Sequence, residues 1–200
     1  MRALRPPPLV PALLAGILLI GCAARPNVDA TSEGDALGAR RALQARTSKG
    51  PVFAVIEGNP FNMLETQRDA LVTEAMAAGV SGMGVRFTSV PAGAAARDPH
   101  LVVVLDPAGD PSGGKLCQAP GEVPTGPRDE TLHLAAAFCQ GGQALRVVSA
   151  EDTVAGPADR RFKRLLWRTS DALFPDDYAD TYGFDLIPGI DLGIGGSFGF

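Results

Sequence analysis

The chain has 200 residues, which is enough for one domain with tails. Its 22 acidic and 18 basic side chains give a net charge of −4, which argues against nucleic acid as a main partner. Hydrophobic residues make up 46% of the chain and exclude wholesale disorder, whereas 24 glycines and 17 prolines predict long loops or tails.

The N-terminus has the pattern of a targeting segment. Arg2 and Arg5 precede an apolar run from Leu9 to Ile20. A run of this length is too short for a comfortable transmembrane helix and matches the apolar region of a secretory signal. The alternatives within this class are an ordinary cleaved signal peptide and an uncleaved N-terminal anchor.

The apolar run ends in Leu19-Ile20-Gly21-Cys22, which resembles the bacterial lipobox. The resemblance implies that residues 1–21 are removed and that Cys22 carries a diacylglycerol and an N-acyl chain. Several acyl chains give stable membrane anchoring. The implied location is the cell envelope, at the periplasmic face of the outer membrane. Residues 22–50 then predict a flexible, disordered tether that leads into a domain over residues 51–175.

The first half of this domain reads as strand, helix, strand, strand. Asn62 stands three residues before Glu65, a spacing typical of a capping box at a helix start, and Gly79 is a helix-end signal. The predicted strands are Val52–Ile56, Val85–Val90 and Leu101–Leu105.

The second half contains a long Gly/Pro-rich loop, a hairpin and a helix. The loop covers residues 106–130, and the hairpin joins Thr131–Cys139 to Ala144–Ala150 through a turn with two glycines. The hairpin register predicted from this turn pairs Phe138 with Leu145 and Ala136 with Val147. A helix over Ala158–Phe174 follows, with a buried stripe of Phe162, Leu165, Leu166, Thr169 and Leu173. The predicted fold is α+β: a mainly antiparallel sheet of about five strands with two helices on one face, between a disordered tether and a disordered tail.

Two cysteines remain once Cys22 is assigned to lipid. Cys117 and Cys139 are an even pair in an oxidising compartment, which predicts a disulfide that fixes the long loop to the hairpin. It would close a ring of about 20 residues, worth about 3 kcal/mol. His133 could join them in a zinc site, but the spacing lacks the compact ligand pairs of structural zinc. We therefore predict no metal and no cofactor.

Residues 176–200 form a predicted tail that is acidic and rich in glycine. Its last eleven residues alternate with period two, which is the pattern of an amphipathic strand. We predict that this strand either adds to the sheet edge of a protein partner or stays flexible or docked on its own domain. Its apolar side consists of Ile190, Leu192, Ile194, Phe198 and Phe200.

The helix near residue 160 has a basic side. Its five cations could contact anionic lipid or cell-wall polymer, or could simply be solvated, and the sequence favours the solvated interpretation. These residues are Arg160, Arg161, Lys163, Arg164 and Arg168.

Several short segments over residues 52–174 resemble a family of short, uncharacterised lipoproteins of proteobacteria. The resemblance implies no activity, so no catalytic residue is predicted. The segments are Glu57-Gly58-Asn59-Pro60-Phe61, Arg86-Phe87-Thr88, Val103–Pro107, Leu116-Cys117, Ala136-Ala137-Phe138-Cys139 and Gly156-Pro157.

The predicted function is a non-catalytic accessory or structural protein at the outer membrane. The alternative is a membrane-anchored, hydrolase-like periplasmic enzyme whose site uses the 106–130 loop and His133. A polar cleft beside that loop would favour the enzyme, and a flat sheet with an open edge would favour the binding protein.

Overall fold

The computed structural model describes residues 31–90, 98–126 and 130–176. Cys22 and the whole predicted tail strand lie outside the described residues. The strands are β1 (Thr31–Gly34), β2 (Val52–Glu57), β3 (Phe87–Thr88), β4 (His100–Leu105), β5 (Thr131–Gln140) and β6 (Gln143–Thr153). The helices are α1 (Ala36–Thr47), α2 (Glu65–Ala78), α3 (Gly113–Gln118) and α4 (Arg160–Leu173).

The six strands form one sheet in the order β1-β6-β5-β4-β2-β3. The predicted α+β class is confirmed, but the prediction of a mainly antiparallel sheet is wrong. The pairs β1–β6, β6–β5 and β5–β4 are antiparallel, whereas β2 runs parallel to both β4 and β3. The sheet is mixed because α2 returns the chain to the end of the sheet at which β2 began. β3 therefore starts at that end and runs in the same direction as β2.

Three helices cover one face of the sheet, one more than the two predicted. α1, α2 and α4 pack there against one side of strands β2, β4, β5 and β6 and bury the larger apolar core. The apolar stripe predicted for α4 is confirmed, since Phe162, Leu165, Leu166, Thr169 and Leu173 are all buried. α3, which the sequence did not predict, covers part of the opposite face.

The predicted tether is wrong from residue 31 onward. β1 pairs with β6, and α1 buries Ala39 and Leu43 completely. Arg40 of α1 donates from Nη1 to the carbonyl oxygen of Phe174 and from Nη2 to that of Ser81, both at 2.8 Å. α1 therefore belongs to the domain. The sequence obscured it because the apolar side chains that this helix buries completely are one alanine and one leucine, which make only a weak stripe.

The start of α2 also differs from the prediction. Asn62 has a left-handed backbone (φ 52°) and lies outside the helix, which begins at Glu65 without a side-chain cap. Asn59 instead holds the preceding turn: its Oδ1 accepts from the Met63 N–H at 2.9 Å, and its Nδ2 donates to the Met63 carbonyl oxygen at 2.7 Å. The capping-box prediction is therefore wrong, because an asparagine three residues upstream already organises the chain.

The β5–β6 hairpin is confirmed, but its predicted register is wrong by one residue. The turn glycines have φ of 59° and 76°, and Gln140 pairs with Gln143. Beyond Cys139 the register shifts, so that Phe138 pairs with Arg146 and Ala136 with Val148. Leu145 is the extra residue of this bulge, and its carbonyl oxygen accepts from the Asp35 N–H at 2.8 Å. The bulge thus connects the hairpin to the β1–α1 corner.

Gly79, the residue that ends α2, lies directly against α4. Its backbone is right-handed (φ −80°), so glycine is not required for its conformation. A Cβ atom at this position would collide with the carbonyl oxygen of Trp167 in α4. Gly79 therefore ends the helix, as predicted, and also permits the contact between the two helices.

Candidate functional site

The segment between β4 and β5 is folded over the face of the sheet opposite α1, α2 and α4. The predicted disulfide is present: Cys117 of α3 is bonded to Cys139 of β5, with their Cα atoms 5.5 Å apart. Ser112 caps α3 by accepting from the Lys115 N–H at 3.3 Å. Leu116, which belongs to this helix, is fully buried. What the sequence predicted as one long loop therefore contains a helix that is bonded to the sheet.

A second attachment holds both ends of this segment together. Pro107 forms an isolated antiparallel bridge with Thr125, and the Ala108 N–H donates to the Pro124 carbonyl oxygen at 2.8 Å. The Asp106 carbonyl oxygen accepts from the Gly126 N–H at 2.9 Å. The segment thus leaves and rejoins the sheet at nearly the same place.

The segment leaves part of the sheet uncovered, and this part forms a cleft of about 530 Å³. The floor comes from one side of β5 and β6, and the wall comes from the chain that follows β4. Thr31 of β1 closes the far side. The floor consists of His133, Ala135, Ser149 and Glu151, and the wall consists of Asp106–Asp110 together with Gly126.

The floor of the cleft carries a histidine and a carboxylate that face each other across two neighbouring strands. His133 and Glu151 are directly opposite in the β5–β6 register. The His133 Nδ1 atom lies 3.1 Å from Glu151 Oε2, and the two side chains are 47% and 51% exposed. The pair is therefore accessible to a ligand, and the carboxylate fixes the orientation of the imidazole ring.

Asp106 stands where β4 ends and the wall begins. Its backbone is left-handed (φ 58°), and the residue is only 5% exposed. Its Oδ1 accepts from the His133 N–H at 3.3 Å, while its N–H donates to the His133 carbonyl oxygen at 2.8 Å. Its Oδ2 is buried with no hydrogen-bond partner among the described residues. Left-handed non-glycine residues and unpaired buried polar atoms both concentrate at functional sites.

The cleft is acidic, with three carboxylates from Asp106, Asp110 and Glu151 and one imidazole. It can bind a polar or cationic group, and His133 can accept or donate a proton there. In the part of the chain that the structure describes, His133 hydrogen-bonds to no hydroxyl group, and no three His, Cys, Asp or Glu side chains cluster as a metal site.

The sequence identified His133 and the 106–130 segment as parts of a candidate site. It singled out neither Asp106, the first residue of that segment, nor Glu151. Asp106 had a signal, because a polar residue that directly follows a buried run such as Leu101–Leu105 lies at the end of a strand, where sites are common. Glu151 had none, since its pairing with His133 depends on the register that the bulge at Leu145 alters.

Within residues 31–90, 98–126 and 130–176, no helix has the length and apolar character needed to cross a membrane. Protein-family models, curated protein sequences and solved structures each gave no significant match to this chain. The resemblance to proteobacterial lipoproteins and the lipobox therefore stay predictions.

Proposed function

We propose that the chain is a lipid-anchored protein of the bacterial cell envelope, held by a diacylglycerol and an N-acyl chain on Cys22 at the periplasmic face of the outer membrane. The observation that carries this proposal is the bond between Cys117 and Cys139. Disulfides persist in oxidising compartments and are rare in the cytosol, so this bond supports export of the chain. The signal-like residues 1–22 supply the means of export.

Metabolic labelling with an alkynyl fatty acid in a proteobacterial host tests the anchor. We expect label on the wild-type chain and none on Cys22→Ser. The matched control is Cys117→Ser/Cys139→Ser, which removes two cysteines and keeps the label. Equal labelling of wild type and Cys22→Ser, or an unlabelled wild type, would contradict the anchor.

The role that we propose for the anchored domain is non-catalytic, as an accessory or structural protein. The polar floor of the cleft suits reversible binding of a polar ligand, because its imidazole and the carboxylate that faces it are both half-exposed. A protein partner is proposed at the C-terminal strand, Ile190 to Phe200, which would add to the partner's sheet edge. In-cell cross-linking with mass spectrometry on wild type and a chain lacking residues 185–200 tests this, since an unchanged set of cross-linked proteins would refute strand addition.

A second candidate is a hydrolase-like enzyme whose site is the cleft. The observation that favours it is the position of Asp106, left-handed and with a buried unpaired oxygen, beside an accessible histidine–carboxylate pair. The chain has two histidines, and His100 does not line the cleft, so His100→Gln is a matched control for His133→Gln.

Turnover of chromogenic ester, phosphoester and glycoside substrates distinguishes the two candidates. The non-catalytic role predicts that wild type and both variants hydrolyse none of them above the buffer rate. An enzyme that uses His133 as its general base predicts turnover by wild type and His100→Gln, with a loss of about 100-fold or more in His133→Gln.

A further inference from the structure

The outward side of α4 combines a local positive charge with one exposed indole ring. α4 carries five cations and one acid, Asp171, so its net charge is +4, which leaves −8 for the rest of a chain whose total is −4. On this side, Arg160, Arg164 and Arg168 follow each other at intervals of four residues and Lys163 stands three after Arg160, which places these cations in one stripe. This basic stripe consists of Arg160, Lys163, Arg164 and Arg168, with Trp167, which is 39% exposed, among them.

A shallow groove of about 320 Å³ lies beside Trp167, between α4 and α2. Ala75 and Ala78 of α2 form its apolar side, and Lys163 and Arg164 of α4 border it. Four acids accompany these cations. Glu74 lies at the rim, Asp152 Oδ2 is 3.8 Å from Arg164 Nη2, the charge of Asp159 interacts with that of Arg164, and Asp171 follows Arg168 by three residues in α4. The surface therefore offers an apolar strip with cations along it.

From this arrangement we infer that the basic stripe of α4 lies against an anionic phospholipid surface. Indole rings settle at the level of lipid headgroups, and lysine and arginine reach outward to the phosphates beside them. Each lysine or arginine near an anionic bilayer contributes enough to change binding about fivefold.

The proposed lipid on Cys22 strengthens the inference, which otherwise does not depend on that lipid. Eight residues lie between Cys22 and Thr31, so nine Cα–Cα steps place the first strand of the domain no more than about 32 Å from the lipidated residue. A domain kept this close meets the membrane at a high effective concentration, and a weakly attractive face is then sufficient to orient it.

Trp167 is the only tryptophan of the chain, so its fluorescence reports this surface directly. The experiment mixes purified full-length protein with vesicles of phosphatidylcholine alone, or with added phosphatidylglycerol. We expect a blue shift of Trp167 emission, and quenching by lipids brominated near the headgroup, only in the vesicles that contain phosphatidylglycerol. High salt should reverse both signals.

The test variant is Arg160→Gln/Lys163→Gln/Arg164→Gln, which should need roughly 100-fold more anionic lipid for the same shift. The matched control is Arg41→Gln/Lys49→Gln/Lys115→Gln, which removes three exposed cations from elsewhere in the domain and should respond like wild type. An unchanged urea midpoint shows that each variant is folded. Equal responses of the two variants would overturn the inference.

The remaining measurements distinguish the different ways in which the inference could fail. An equal shift in phosphatidylcholine vesicles would mean that the N-terminal segment alone positions the protein, which overturns the inference. An equal shift with double-stranded DNA or polyglutamate at the same charge concentration would identify a general polyanion surface and also overturn it. A Cys22→Ser chain keeps the stripe, so loss of the anchor and loss of the stripe give different results.

Discussion

The face of the sheet that packs against α1, α2 and α4 differs from the opposite face in what holds it closed. On the helix-covered face, side chains such as Phe138, Phe162 and Leu166 are fully buried in the larger apolar core, which seals this face. On the cleft face, a smaller apolar cluster, a disulfide and a few hydrogen bonds hold one folded segment over only part of the sheet. Burial along a whole face seals it, whereas a segment attached over part of a face leaves a neighbouring polar floor open.

The largest expected change in the free energy of unfolding is for a substitution on the helix-covered face. Phe162 is buried and packs edge-on against Phe61, with ring centroids 5.1 Å apart. Phe162→Ala should lower the free energy of unfolding by about 3–5 kcal/mol, measured by urea denaturation. The control is Leu64→Ala, which removes an equally apolar but 67% exposed side chain and should change it by less than about 0.5 kcal/mol. Similar losses in both variants would contradict the sealed core.

The next effect tests the cleft face. Cys117→Ser/Cys139→Ser opens a ring whose ends are 22 residues apart in sequence and should cost about 3 kcal/mol of unfolding free energy. Treating wild type with a thiol reductant should lower its urea midpoint to that of the variant. A wild-type midpoint that is insensitive to reductant would show that the link does not hold this face.

A smaller effect is expected where α2 meets α4 on the sealed face. Gly79→Ala places a methyl group against the Trp167 carbonyl oxygen and should cost about 1–3 kcal/mol, with a change in Trp167 emission. Gly84→Ala is the matched control, because a Cβ atom there meets nothing within 4 Å. If the two alanines have the same effect on the urea midpoint, the close contact between the helices is not important for stability.

The smallest effect lies at the junction between β6 and α4. The carboxylate of Asp159 accepts from the N–H groups of Ala155 and Arg161, both at 2.9 Å, and these bonds hold the pKa of Asp159 below its usual value. A lowered folded-state pKa stabilises the fold above the unfolded pKa of about 4, and this contribution is lost as the pH falls through the folded-state value.

Asp159→Asn removes this titration and keeps a capping side chain. We expect the wild type to melt about 1–3 °C higher than the variant at pH 7, and the difference to shrink as the pH falls below the unfolded pKa of about 4. Thermal melts across this range measure it, and a difference that grows as the pH falls would reverse the assigned sign.

The sequence predicted most of what depends on strong local periodicity. The buried stripe of α4, the Gly141-Gly142 hairpin turn and the runs that form β2 and β4 all follow from spacing and turn chemistry. The cysteine pair followed from counting and compartment. These features could be found because each is encoded within a few neighbouring residues or by a single rare residue type.

What the sequence did not predict depends on contacts distant along the chain. α1 has a weak apolar stripe and is held through Arg40, whose partners at Ser81 and Phe174 are 41 and 134 residues away. The cleft depends on the bulge at Leu145, which sets Glu151 opposite His133. No local pattern encodes such distances, so the tether, the register and half of the candidate site had to be corrected by the structure.

The pairing of β1 with β6 has a consequence for self-association. β1 pairs with the stretch from Arg146 to Ser149 of the eleven-residue β6. An open strand edge is a template for pairing with another chain, so a strand that covers part of this edge lowers the risk of aggregation. The segment that leads from the proposed anchor into the domain thus also protects this part of β6 from pairing with a second chain.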